Sequence, residues 1–169
     1  MTLLESVSIR RAQGSDFPAV DRLFSTSYPI LLREAYDEET CVKALPIIGR
    51  AQPDLVRSGS FFLVLRGALL VGAGGWTLEA PGTGDISPET GHVRHVVTHH
   101  RHQRHGVGRR LLDYIMLHAQ GQGVRRLCCY STLNAVPFYA AMGFTAERDV
   151  TLPLAGSVPF PAVRMSATL

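Results

Sequence analysis

The chain has 169 residues, 46% of them apolar and 18% charged, with a formal net charge of +3. This composition belongs to a globular domain and excludes a disordered, fibrous or collagen-like chain. The charge excess is too small to imply a nucleic-acid partner by itself, and no apolar run approaches the roughly 20 residues of a membrane span.

Met1–Arg11 carries no long apolar run behind a basic end, so no secretory signal is expected. Three cysteines, with Cys128 and Cys129 adjacent, make no disulfide framework, and a reduced, cytoplasmic setting follows as the default. Lys43 is the sole lysine, so the basic charge is almost all arginine. Much of that charge lies between Arg94 and Arg110, together with five of the seven histidines. Arginine suits phosphate, which it holds through planar, paired hydrogen bonds.

Val7–Arg10 reads as a short strand. Ser15 or Asp16 can cap a helix in which Ala19, Val20, Leu23 and Phe24 share a face. Tyr28–Leu32 is apolar, and Pro29 is expected to break it. Glu38–Ala44 and Pro53–Ser58 read as helical pieces separated by Pro46 and Gly49. Phe61–Leu65 and Leu69–Thr77 form an expected hairpin around the turn at Arg66–Gly67. Gly72, Gly74 and Gly75 point to a bulge or a close backbone approach in the second strand. Ala80–Gly91 is a loop, and Gly91–Thr98 a third strand followed by a polar turn, His99–His105, whose histidines are expected to be solvated.

Gly108–Gln120 is the clearest helix, with Leu111, Leu112, Ile115, Met116 and Ala119 on one stripe and glycines at its end. Arg125–Tyr130 is a further strand. Asn134 can cap a short helix that tolerates Pro137 in its first turn and ends at Gly143. Val150–Leu154 and Ala162–Ala167 read as closing strands around a Gly156–Pro161 loop. With no repeat, linker or low-complexity tract, residues 1–169 read as one mixed α/β domain.

Chemistry concentrates where the third strand meets the best helix, at Gln103-Arg104-His105-Gly106-Val107-Gly108. A helix start has backbone N–H groups without intrahelical partners and a partial positive charge, so an anion can sit there. Glycines keep side chains out of its way, and Arg104, Arg109 and Arg110 add charge. The P-loop reading fails because no Gly-Lys-Ser/Thr is present. The dinucleotide fingerprint fails because residue 111 is leucine where a third glycine is needed.

The remaining pattern, Gln-x-x-Gly-x-Gly, resembles the coenzyme A-binding motif of the GNAT (general N-acetyltransferase) superfamily. A second segment, Asn134 to Phe144, is similar to the late motif of that superfamily, with an alanine, the pair Phe138-Tyr139 and a terminal Gly143-Phe144. The resemblance covers residues 61–169 well and the first sixty in outline. It implies a mostly antiparallel twisted α/β (α+β) sheet of about seven strands flanked by helices, with a splayed central strand pair. It also implies an acyltransferase that moves the acetyl group of acetyl-CoA to a primary amine by direct attack, the amine being a small molecule first of all, without a metal.

Carried over by position, Val96, Val97 and Thr98 bind the pantetheine arm. Gln103, Arg104, His105, Gly106, Val107, Gly108 and Arg109 cradle the pyrophosphate, and Asn134 and Tyr139 complete the cofactor-binding set. A backbone N–H near Val96 polarises the thioester carbonyl. Tyr139 matches the usual acid. The usual base is a glutamate eleven residues before the glutamine, and that position is His92, whose ordinary pKa near neutrality suits the role. By simple alternation His95 faces the opposite side of the strand, barring a bulge. Glu79 and Glu89 are further candidates for the base. The acceptor itself is not legible, and a homodimer is a common arrangement in the superfamily.

Other readings give different expectations. The Arg/His-rich stretch 94–110 could serve a nucleic-acid-binding module, but no stacking aromatic is interleaved with it. The histidines match no zinc spacing with supporting cysteines. A catalytically silent sensor of acyl-CoA would keep both motifs. Cys128 and Cys129 read as strand core, not as an acyl carrier.

Overall fold

The structure, a computed structural model, describes residues 6–169. The earliest residues of the Met1–Arg11 reading lie outside that range. Seven strands form one sheet: β1 (Val7–Arg11), β2 (Phe61–Arg66), β3 (Leu69–Thr77), β4 (Thr90–Thr98), β5 (Arg126–Ser131), β6 (Thr145–Leu154) and β7 (Val158–Thr168). Their order is β1-β2-β3-β4-β5-β7-β6. All neighbours are antiparallel except β4 and β5. The helices are α1 (Phe17–Leu32), α2 (Glu38–Ile48), α3 (Pro53–Val56), α4 (Val107–Gly121) and α5 (Val136–Ala141). Among the described residues no helix is long and apolar enough to cross a membrane.

Helices cover both faces of the sheet, and this explains the uninterrupted apolar run Phe61–Val64: alternate side chains enter two different cores. Phe61 and Leu63 pack with Val20, Phe24 and Leu32 under α1 and α2. Phe62 and Val64 pack with Leu111, Leu112 and Ile115 under α4. The stripe read from the sequence of α4 is therefore its buried face.

Four elements depart from the sequence reading. Helix α1 runs through Pro29 to Leu32, because continuing it buries Tyr28, Leu31 and Leu32; that burial outweighs the lost backbone hydrogen bond. Pro46 is likewise inside α2, which extends to Ile48. Strand β6 begins at Thr145 rather than Val150. Its first half is polar and exposed, and pairing with β7 makes it a strand. Strand β7 begins at Val158 and contains Pro159 and Pro161. These prolines are tolerated because β5 pairs with β7 only between Val163 and Thr168, so the earlier part of β7 has a free side.

The decisive irregularity is in β4. Ala73 pairs with Val97 and Gly75 with Arg94, so one β3 residue, Gly74, faces two β4 residues, His95 and Val96. This is a β-bulge, and His95 takes φ of 50° to make it. Parallel pairing with β5 spans only Thr90–His92 against Arg126–Cys128. Beyond it the two strands separate. The bulge also resets alternation. His92 and Arg94 share a face, and His95 and Val97 fall on that same face, the α1 side. His95 stacks at 5.3 Å from Phe24, and Val97 belongs to the core under α1. The two histidines expected on opposite faces lie on one.

The bulge needs a glycine opposite it. A Cβ on Gly74 would lie 2.9 Å from Val96 Cα and 3.1 Å from His95 O, and both are backbone atoms that cannot swing away. Gly74→Ala is expected to cost about 1–3 kcal/mol of stability, read as a lower urea midpoint with an unchanged m-value.

Candidate active site

The gap between β4 and β5 opens into a cavity of about 990 Å³, at the upper end of ordinary ligand pockets. It is lined by Gln103, Arg104, Gly106, Val107, Gly108 and Arg109 around the start of α4, by His95–Thr98, Ser131, Asn134 and Tyr139 beside the gap, and by Leu31, Ile48, Leu154 and Phe160. Of the cofactor-binding residues expected from the sequence, His105 alone does not line it.

The start of α4 has an anion-binding form. Gly106 is its N-cap at φ 78°, with no side-chain cap and no acidic residue in the first turn. The bond from Arg110 N–H to Gly106 O is 3.1 Å; the N–H groups of Val107, Gly108 and Arg109 before it have no intrahelical acceptor. The two glycines serve different ends. Gly106 needs its left-handed backbone, and open space surrounds its missing Cβ. Gly108 is a packing residue: a Cβ there would lie 3.2 Å from Thr98 Oγ1 and 3.3 Å from the Phe138 ring. That contact joins the two sequence motifs in space. Arg104 is strained too, at φ 62°.

The turn between β4 and α4 is less solvated than its composition predicts. His100 N–H donates to Ser27 Oγ at 3.3 Å, and Arg66 Nη1 donates to His102 Nδ1 at 2.9 Å. His99 stacks on His100 at 4.6 Å. Among the described residues no group of three or more His, Cys, Asp and Glu could hold a metal ion.

Asn134 adds a polar group to the cavity wall. Its Oδ1 is buried without a hydrogen-bond partner, which costs about 1–3 kcal/mol, and the residue lines the cavity. A bound group that donates a hydrogen bond there would remove the deficit. The anion-ready helix end, the gap of unpaired strand and this orphaned acceptor all fit a long ligand that is phosphorylated at one end and amide-bearing along its arm.

Tyr139 is a buried residue of the cavity wall, and burial keeps its pKa well above the usual 10. It is therefore a protonated donor at neutral pH, and its hydroxyl has no side-chain partner among the described residues. Tyr28 comes from α1 to the same place, its hydroxyl 3.1 Å from His95 Nδ1; the sequence had no spacing that would show this pair. Burial pushes Tyr28 above its usual range and His95 down to about 4.

His92 does not line the large cavity. It lines a small adjoining one of about 10 Å³, with Cys128, Tyr130 and Arg164, about the room one water needs. Pro81, Val93, Cys129 and Tyr130 border both cavities. The His92 pKa is lowered by burial and then by Arg164 and Arg94. Glu79 and Glu89 line neither cavity; Glu89 lies 3.5 Å from Arg125 at the surface. Cys129 is buried with its thiol pushed up to about 12, the opposite of an activated nucleophile.

A family model described as an acetyltransferase (GNAT) domain matches residues 54–156. Solved structures share the fold across nearly the whole chain. A GCN5-related N-acetyltransferase from Rhodopseudomonas palustris superposes with a TM-score of 0.78 at 19% identity, covering 100% of this chain and 99% of that one. The PaiA N-acetyltransferase of Thermoplasma acidophilum, in complex with coenzyme A, gives 0.73 at 17% identity, covering 97% and 99%. The ribosomal-protein-S18-alanine N-acetyltransferase of Escherichia coli gives 0.65 at 14% identity, covering 96% and 94%. A search of curated proteins gives no match.

Burial of His95 has a pH signature. Its folded value is about 4 against the usual 6.5, so between those values the unfolded chain binds the extra proton. The stabilising contribution is complete above about pH 6.5 and is lost as pH falls toward 4, by on the order of 3 kcal/mol. Urea unfolding at pH 7 and pH 4.5 should show this loss, and His95→Gln should reduce it.

Proposed function

Since this chain belongs to the GNAT acetyltransferase family, we propose that it transfers the acetyl group of acetyl-CoA to a primary amine of a small molecule by direct attack. The observation that carries the reading is Tyr139, a protonated hydroxyl without a side-chain partner, buried in the wall of a cavity that also borders the uncapped start of α4. Acetyl-CoA would supply an activated thioester, whose carbonyl carbon accepts the amine while its sulfur leaves as a thiolate.

The chain's own groups then divide the work. The N–H groups opening α4, with Arg104 and Arg109, hold the pyrophosphate. Val96, Val97 and Thr98 offer unpaired strand edge to the pantetheine amides, and Asn134 Oδ1 accepts from one of them. The Val96 N–H, freed from the ladder by the bulge, donates to the thioester oxygen as negative charge develops. Tyr139 gives its proton to the departing thiolate. His92 takes the proton of the amine through a water in the small adjoining cavity. His95 is too weak a base for that task at a pKa of about 4, and it serves as a neutral wall braced by Tyr28.

The reaction can be followed as free thiol released from acetyl-CoA in the presence of amines. Tyr139→Phe should lower kcat by roughly 10²–10⁴-fold while acetyl-CoA affinity stays within a few-fold, since no side-chain hydrogen bond is lost. Wild-type kcat/KM should fall as pH drops below the His92 pKa, which lies under the usual 6.5, and His92→Ala should lose that acidic limb. Acetyl-CoA binding with no thiol release for any amine would instead mark a silent sensor.

A further inference from the structure

The acceptor end of the cavity contains a cation without a counter-ion. Arg94 precedes the bulge directly and lines the cavity. It is more than half buried, and burial lowers its pKa. Its one side-chain hydrogen bond runs from Nη1 to Thr77 Oγ1 at 3.2 Å. No carboxylate among the described residues lies within 4.0 Å of it; Glu79 acts on it only from further away. The arginines left without a carboxylate elsewhere are mostly exposed, whereas Arg10, Arg50 and Arg164 pair with Asp16, Asp21 and Glu147 although they are less buried than Arg94. Arg66 also lacks a carboxylate, but it braces His102 and is not in the cavity wall.

A guanidinium taken out of water needs an anion or further acceptors to offset its lost solvation. Arg94 has four N–H donors beyond the one spent on Thr77, and the space they can use is the cavity. Apolar side chains from four elements share this lining: Leu31 and Leu32 from α1, Ile48 from α2, Leu154 from β6 and Phe160 from β7. The one acidic residue in the lining, Glu34, is exposed. A binding site with one buried cation beside apolar walls fits a carboxylate attached to an apolar body.

We propose that the acceptor is a free amino acid with an apolar side chain, its carboxylate held by Arg94. This rests on the acetyl-transfer reading and names the substrate class of the same site. An α-amino acid keeps its amine one carbon from the carboxylate. A carboxylate bound at Arg94, two positions from Val96, therefore leaves the amine beside the bulge, where the thioester carbonyl would lie. The same arrangement disfavours amines without a carboxylate, because they leave the buried guanidinium unpaired. It also disfavours peptide N-termini, whose first carbonyl is a neutral amide.

The test compares matched sets in the thiol-release assay: L-leucine, its amide and isoamylamine; L-phenylalanine, its amide and phenethylamine. Wild type should favour the free acids in kcat/KM by roughly ten- to a hundred-fold over both partners of each set. Arg94→Gln should raise KM for the free acids by a similar factor with kcat within a few-fold, and the preference over the amines should collapse. Arg94→Lys should keep part of it. Amines or amides turned over as well as the acids by wild type overturn the proposal, as does an Arg94→Gln enzyme that keeps the preference. The wild-type comparison stands alone should that variant not fold. If acetyl-CoA does not bind, the acetyl-transfer reading fails; if thiol is released with equal preference for the amines, only the amino-acid proposal fails.

Discussion

One extra residue in β4 organises the molecule. Where Gly74 faces both His95 and Val96, the ladder loses its register, and β4 turns away from β5 after His92. Separation of two parallel strands in the middle of a sheet leaves backbone groups unpaired, which a closed sheet would not tolerate. Here they border a cavity, so a ligand with amides of its own can replace the missing neighbour strand. The bulge strains His95 into a left-handed conformation. Offsetting that cost, its ring is buried against Phe24 and Tyr28 and bonded to the Tyr28 hydroxyl. Helix α1 thus clamps the irregularity that makes the gap, and its passage through Pro29 is part of the same arrangement.

Much of the fold was legible because its signals are periodic. The α4 stripe, the β2–β3 hairpin and β4 stand within a residue or two of the ranges their patterns give. The failures share a cause: an element held by partners rather than by its own residues. The first half of β6 is charged and exposed and is a strand because β7 lies beside it. Leu31 and Leu32 follow a proline and stay helical because a core waits for them. The glycines of β3 signalled a bulge or close approach, and the structure gives both. The register of that bulge, and so the shared face of His92 and His95, depends on the pairing of two strands, which one strand's alternation does not contain.

The candidate site divides in the same way. Its cofactor half is made of backbone geometry at a strand–turn–helix junction, and such geometry leaves compact marks: two glycines at fixed spacing, an uncapped helix start and a cluster of arginines. Gly108 against Phe138 shows why the second motif belongs with the first. The acceptor half is made of side chains from α1, α2, β4, β6 and β7, each ordinary in its own segment. Leu152 and Leu154 were the nearest to a signal, alternating apolar positions in an otherwise polar strand. Arg94 was counted among the basic residues of a phosphate site, although it stands within β4 opposite Gly75, bonded to Thr77, and not in the turn that carries Arg104 or at the start of α4 with Arg109.

That separation of charge has a physical consequence for specificity. Arg104 and Arg109 are exposed, so their attraction for phosphate is long-ranged and screened by salt. Arg94 is largely withdrawn from solvent, so its preference for an anion is short-ranged and tied to geometry. A cavity with diffuse positive charge at its mouth and one confined cation at its far end can attract any polyphosphate at the first and still discriminate at the second. The bulge joins the two ends, because it opens the strand edge beyond His92 and at the same step brings His95 and Val97 onto the face that Arg94 already holds. The opened strand edge and the face that carries Arg94 are therefore tied to one backbone feature, and a change in its register would displace one relative to the other.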